Sequence, residues 1–214
     1  MGVTLKLATS LDGSIATAAG ESRWITGDAA REAGHRLRAA HDAVAIGVET
    51  ALADDPELTV RFEGFSGNQP PRVVFDSHQR LPLEGKLART AREVPTVVVA
   101  LGAPSAALTA AGVQVIPIGA GADGRPDLDA ALEALAVQGV GSLLVEGGGQ
   151  LAASFLRAGR VERIEWFRAP MILGAEGRPC VGAMALDRLA EAPRFRRVSA
   201  EPIGDDLWER YERL

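Results

Sequence analysis

Glu146 precedes three consecutive glycines, Gly147, Gly148 and Gly149, between an apolar run at 142–146 and a helical pattern at 149–158. Without a Cβ, glycines let backbone N–H groups approach a phosphate closely, and a helix start adds donors and a positive dipole end. The run suits the pyrophosphate of a dinucleotide. It equally suits a tight strand–helix turn that binds nothing. It matches neither G-x-G-x-x-G nor the Gly-Lys-Ser/Thr of a P-loop. Glu146 stands at a strand's C-terminal end, where open α/β sheets bind ligands. Its plainer role is a carboxylate facing a helix dipole.

Three further clusters have chemical potential. Asp76-Ser77-His78-Gln79-Arg80 follows an apolar run. A Ser and an Arg there could hold a ribose 2′-phosphate, or could be a solvated turn. Ser10-Leu11-Asp12-Gly13 is a turn signal, and a polar loop at 20–26 carries Ser22 and Trp24. Trp24 could stack on a ring system or cover the edge of the core. After Gly47 and Thr50 come Asp54-Asp55-Pro56 and Arg61. Arg38 and Arg61 suit phosphate. Asp54 and Asp55 suit acid–base work, or are solvated carboxylates at a helix end.

Other chemistries lack their residues. There is no G-x-S-x-G elbow, no kinase set and no deaminase H-x-E with P-C-x-x-C. Cys180 is the only cysteine, and His35, His41 and His78 are scattered, so no metal site is expected. Redox chemistry on a bound cofactor remains.

The elements that must position these groups read as a βαβ alternation. Alternating VTLKLAT (3–9) predicts a half-buried strand. Continuous apolar runs at 43–47, 72–76, 96–101, 113–117 and 142–146 predict parallel strands covered on both faces. Helical patterns lie at 28–40, 104–111, 127–138 and 149–158. In the first, Ala29, Ala33, Leu37 and Ala40 mark the buried face, with Thr26 or Asp28 as cap. Runs at 162–170, 194–200 and 206–212 predict strands, the last two pairing antiparallel across a turn at 202–205. Loops at 62–71 and 119–126 are expected to be exposed. The expected fold is α/β, with a mixed, mostly parallel sheet, helices on both faces and a C-terminal antiparallel hairpin.

Length suits a single domain over 1–214. A net charge of −5 argues against a nucleic-acid partner. No apolar run is long enough for a membrane helix, and the N-terminus lacks a signal-peptide pattern, so a soluble cytoplasmic protein is expected.

KLATSLDG, GESRWIT, the R-x-x-x-H-R-L-R-A helix, DAVAIGVETALADDPELTVR, DS-x-x-R-L-P and LLVEGGG occur in that order over essentially the whole chain. Together they resemble the reductase domain of the bifunctional riboflavin-biosynthesis deaminase/reductase. The sequence contains no zinc-deaminase segment, so the resemblance is to a stand-alone reductase. It implies a dihydrofolate-reductase-like three-layer fold, NADPH as hydride donor and a homodimer. The implied reaction is reduction of 5-amino-6-(5-phosphoribosylamino)uracil, a small phosphorylated substrate, to its ribitylamino product. By the same resemblance Ser22, Arg38, Leu58, Arg61 and Glu146 would contact substrate, with Arg38 and Arg61 suited to its phosphate. Ala8, Trp24, Thr50, Asp54 and Ser77 would contact NADPH, as would the backbone of Gly148, Gly149, Gln150, Leu151, Ala152, Ala153 and Ser154. Lys6 matches a substrate-facing lysine suited to electrostatic or proton assistance, and Asp54 is a second catalytic candidate.

Fold does not fix substrate. A pterin or other heterocycle reductase is one alternative, with Glu146 reading the ring. A catalytically idle protein that binds NADPH or a metabolite is another.

Overall fold

The computed structural model describes residues 1–214. Strands β1 (Gly2–Thr9) and β2 (Ser14–Ala16) lead into helix α1 (Asp28–Ala39). Strand β3 (Ala43–Gly47) runs directly into α2 (Val48–Asp54), and β4 (Arg72–Phe75) is followed by the short α3 (Lys86–Arg89). Next come β5 (Thr96–Ala100), α4 (Ala106–Ala111), β6 (Gln114–Pro117), α5 (Leu128–Val137), β7 (Ser142–Val145) and α6 (Gly149–Arg157). The chain ends with β8 (Arg163–Arg168), β9 (Arg178–Pro179), a 3-10 turn (Leu189–Glu191), β10 (Phe195–Ile203) and β11 (Asp206–Arg213).

Nine strands form one mixed sheet in the order β10-β11-β8-β1-β7-β3-β4-β5-β6, and β2 pairs with β9 separately. The pairs β1–β8, β3–β4, β4–β5 and β5–β6 are parallel; β8–β11 and β10–β11 are antiparallel. By contact density the chain divides into two compact units: Leu37–Leu144 with Met1, and Gly2–Arg36 with Val145–Leu214.

In the Leu37–Leu144 unit the apolar strands behave as their sequences predict. Every residue of β5 is buried, as are Ala43 to Ile46 of β3. Val44, Ile46, Val74, Val98 and Leu108 pack in one cluster with Leu58 and Leu87. Strand β6 departs from expectation. It is the last strand in the order, and Ile116 alone within it is buried. An edge strand has one neighbour and one open side, so its apolar run is not covered throughout.

Arg72 on β4 is 1% exposed within this unit. Its guanidinium donates to the carbonyls of Glu57, Leu87, Thr90 and Val94 and to the hydroxyls of Thr90 and Thr96. Burial lowers its pKa to about 10, against the opposing pull of Glu93 and Glu57, so it stays charged at neutral pH. In the sequence it is the first residue of an otherwise apolar run, with nothing to mark it as buried.

In the other unit α1 buries Ala30, Ala33 and Gly34, while Ala29 and Ala40 are exposed. The buried stripe is thus turned by one residue from the expected face. Gly34 lacks a side chain and hid the i, i+3, i+4 pattern. The residue before α1 is Gly27, not Thr26 or Asp28; its carbonyl takes the Arg31 N–H, and its own N–H donates to Asp206 at 2.7 Å. The hairpin forms as expected, but β10 runs through Pro202 and Ile203. The turn is therefore only Gly204-Asp205, with Gly204 at φ +62°. The β2–β9 pair, α3 and the 3-10 turn are too short to leave a periodic signal and were not anticipated.

Candidate active site

Strand alternation sets the geometry around Lys6. Leu5 and Leu7 are buried on one side of β1, and Lys6 and Ala8 emerge on the other, half-buried. The Lys6 Nζ lies 4.0 Å from the Glu146 Oε2, with side-chain exposures of 18% and 6%. It also lies 5.8 Å from the Phe167 ring centroid. A Cβ on Gly34 would come 3.8 Å from Lys6 Cε. A larger side chain there would therefore crowd the lysine.

Glu146 directly follows β7, and the glycine turn comes next. Gly147 has φ +136°, a conformation L side chains rarely adopt. A Cβ on Gly149 would stand 2.6 Å from the Pro179 carbonyl oxygen. The Gly182 N–H also donates to the Gly149 carbonyl at 2.8 Å. Tight packing requires Gly149, and the turn opens helix α6. The Ala152 N–H already donates to Gly148 O at 3.0 Å. Amide donors for a phosphate are thereby narrowed to the first turn of α6, whereas the resemblance implies backbone from Gly148 to Ser154. Ala152 and Ala153 are buried, and the Ser154 hydroxyl donates to Gln150 O.

The segment that closes on Gly149 is fixed by Asp12, which the sequence marks only as part of a turn signal. Its carboxylate accepts from Ser10 Oγ at 2.5 Å and from the N–H groups of Leu173 and Gly174 at 3.2 and 2.8 Å. These bonds, the Ser10 hydroxyl foremost, hold its pKa below the usual value. Farther along the same segment, the Cys180 N–H donates to Gly13 O.

Ser22 is half-buried, and Trp24 is 66% exposed. Trp24 therefore does not cover the core. The Arg31 guanidinium lies 4.5 Å from its ring centroid, presenting an exposed cation–aromatic pair.

The Leu37–Leu144 unit holds the other candidates. Thr50 lies inside α2, not at its start, and Asp54 is one turn later on the same face. Asp55 ends the helix at φ +42°, and its Oδ1 accepts the Lys86 N–H at 2.7 Å, a structural use. Leu58 has φ +53° and a buried side chain in the core, so what it offers a ligand is its backbone. Arg38 and Arg61 meet at Thr59: the first donates to its carbonyl at 2.8 Å, the second to its hydroxyl at 3.2 Å. Arg61 also pairs with Glu57.

Ser77 follows β4, in a turn organised by Asp76. Asp76 is fully buried, and its Oδ2 accepts the Leu81 N–H at 2.8 Å. Burial pushes its carboxyl above the ordinary value, against the backbone N–H groups of Leu81, Arg80 and His78. Arg80 points its guanidinium to Glu49, 2.5 Å away. An anion at Ser77 would have to compete for it.

A family model described as the RibD C-terminal domain matches residues 2–208. The chain belongs to the RibD C-terminal domain family. It is 35% identical to riboflavin biosynthesis protein RibD of Actinobacillus pleuropneumoniae, over 96% of this chain and 55% of that protein. A 2,5-diamino-6-ribosylamino-4(3H)-pyrimidinone 5′-phosphate reductase of Methanothermobacter thermautotrophicus is 37% identical over 98% of this chain and 96% of its own. The structure of Acinetobacter baumannii RibD superposes with a TM-score of 0.88 at 31% identity, covering all of this chain and 58% of that one. The chain thus spans about half the length of the RibD proteins it matches. The fold is the dihydrofolate-reductase-like α/β class of the RibD reductase domains.

Proposed function

We propose that this protein is an NADPH-dependent reductase of a 6-(5-phosphoribosylamino)pyrimidine, with 5-amino-6-(5-phosphoribosylamino)uracil as its substrate. The observation that carries this reading is the approach of Lys6 to Glu146 immediately before the glycine turn. The first turn of α6, entered through Gly147 and Gly148, suits the pyrophosphate of a dinucleotide: its amide donors are grouped, and the turn leading into it carries no side chains.

When bound, NADPH supplies the hydride that C1′ of the opened ribosyl chain receives, giving the ribityl product. Ring opening breaks the C1′–O4′ bond, leaves O4′ in need of a proton and forms C=N between C1′ and the amino nitrogen. The Lys6 ammonium is a proton-bearing cation suited to that oxygen. The Glu146 carboxylate fixes the ammonium and accepts from substrate N–H or O–H groups. We assign Arg38 and Arg61 to the substrate phosphate, Ser22 and the Leu58 backbone to substrate contacts, and Ala8, Trp24, Thr50, Asp54 and Ser77 to the cofactor. Homodimer formation and a cytoplasmic location belong to the same reading. No helix is long and apolar enough to cross a membrane.

The archaeal relative favours a second substrate. Its name specifies the 2,5-diamino pyrimidinone, which differs from the uracil at the ring's 2-position. The deciding assay follows NADPH oxidation with each phosphoribosyl pyrimidine and, beside them, dihydrofolate. Turnover of either pyrimidine supports the reading and selects between the two. Turnover of dihydrofolate alone replaces the substrate class. NADPH binding without turnover of any leaves an idle binding protein.

A further inference from the structure

Glu165 on β8 is the register partner of Lys6 on β1, so the two side chains leave the same face of the sheet on adjacent strands. A carboxylate in that place would ordinarily take the ammonium. It does not. The groups that act on its carboxyl are the Trp208 indole, Arg210 and Arg163, and burial pushes its pKa up. Its Oε2 accepts from Trp208 Nε1 at 2.6 Å, and Arg210 Nε lies 3.9 Å away. Both come from β11, on the side of β8 away from β1.

Trp208 is itself held by two ring contacts. Its ring stacks on Phe167 at 5.1 Å between centroids, and the Arg210 guanidinium covers it at 4.2 Å. Arg210 is anchored in turn by Glu201, 3.6 Å away. An indole clamped this way cannot swing without losing two ring contacts and its hydrogen bond. The Phe167 ring, on the same face, is the surface over which the Lys6 ammonium stands.

We propose that Trp208 is a positioning residue that holds the Glu165 carboxylate away from Lys6. The ammonium thereby stays directed to Glu146 and to substrate instead of being captured by its cross-strand neighbour. The inference rests on the assignment of Lys6 to the reaction, and its test is built to fail separately from that assignment.

Lys6 and Lys86 are the only lysines in the chain, so Lys86 serves as an internal reference for amine acylation read by peptide mass. Trp208→Phe keeps an aromatic ring over Phe167 and deletes the N–H. The released Glu165 then pairs with Lys6 and slows its acylation relative to Lys86. The expected change is roughly three- to tenfold, the usual effect of a carboxylate at contact distance on an amine. Trp208→Phe combined with Glu165→Gln returns the ratio to that of the wild type. An unchanged or faster ratio in the single variant, or no recovery in the double variant, overturns the proposal. NADPH oxidation by the same proteins separates the two readings. A slowed and rescued ratio with turnover unaffected keeps the role of Trp208 and removes Lys6 from the reaction.

Discussion

At the scale of residues, this protein uses arginine for nearly every cation: 21 arginines stand beside two lysines. Arginine does not give up its proton near neutral pH, whereas lysine can. On the proposed reading, Lys6, beside Glu146, stands where a proton has to move, and Arg38 and Arg61 stand where charge only has to be held. Arg61→Ala is expected to raise KM for the phosphoribosyl pyrimidine about ten- to a hundredfold, the value of one charge-assisted contact. KM for NADPH should stay unchanged. Initial-rate kinetics in both substrates checks this, and equal effects on the two would remove Arg61 from the phosphate site. Arg61 stands out as a candidate in DDPELTVR, and Arg38 in the helical pattern at 28–40. Their common anchor, Thr59, does not, because Arg38 lies 21 residues away and reaches it only in the fold.

Among elements, the segment between β8 and β10 has little regular structure, yet it touches the turn on which the cofactor reading depends. Asp12 pins it at Leu173 and Gly174, and Gly149 receives it at Pro179 and Gly182. The Asp12 carboxyl is held below its ordinary value, so the latch is an ionised one. Its contribution is fully present above the unfolded value of 3.8 and is lost as pH falls through the lower, folded value. Hydrogen exchange at the amides of Leu173 and Gly174 should accelerate, beyond the intrinsic pH effect, in that acid range. Asp12→Asn should produce the same loosening at neutral pH. Protection that is equal in variant and wild type would mean the segment is held elsewhere.

For the whole molecule, stability leans on a charge that no surface argument would find. Arg72 supplies donors to four backbone carbonyls and two hydroxyls contributed by segments from Glu57 to Thr96. Arg72→Met removes all six of these hydrogen bonds at once, although Thr96 Oγ1 still donates to Leu87 O and the Glu93 and Val94 N–H groups still donate to Thr90 O. The expected cost is about 3 kcal/mol or more, and roughly 10 °C in Tm for a chain of this size. Calorimetry reading a Tm within a degree or two of the wild type would show that the carbonyls find other partners. The sequence by itself determined the order of the longer strands and helices, the mostly parallel sheet and the antiparallel hairpin. Those follow from apolar runs, helical periodicity and turn residues, all local properties of the chain. It also determined the glycine turn after β7, since three glycines in a row admit few other uses. Only the tertiary structure decided which neighbours the polar side chains meet. Lys6 and Glu146 are 140 positions apart along the chain, and Glu165 is taken by Trp208 although its register partner is Lys6. Whether a carboxylate pairs, caps or stands buried depends on the strand laid beside it, and that information is not carried by the residue's own surroundings in sequence.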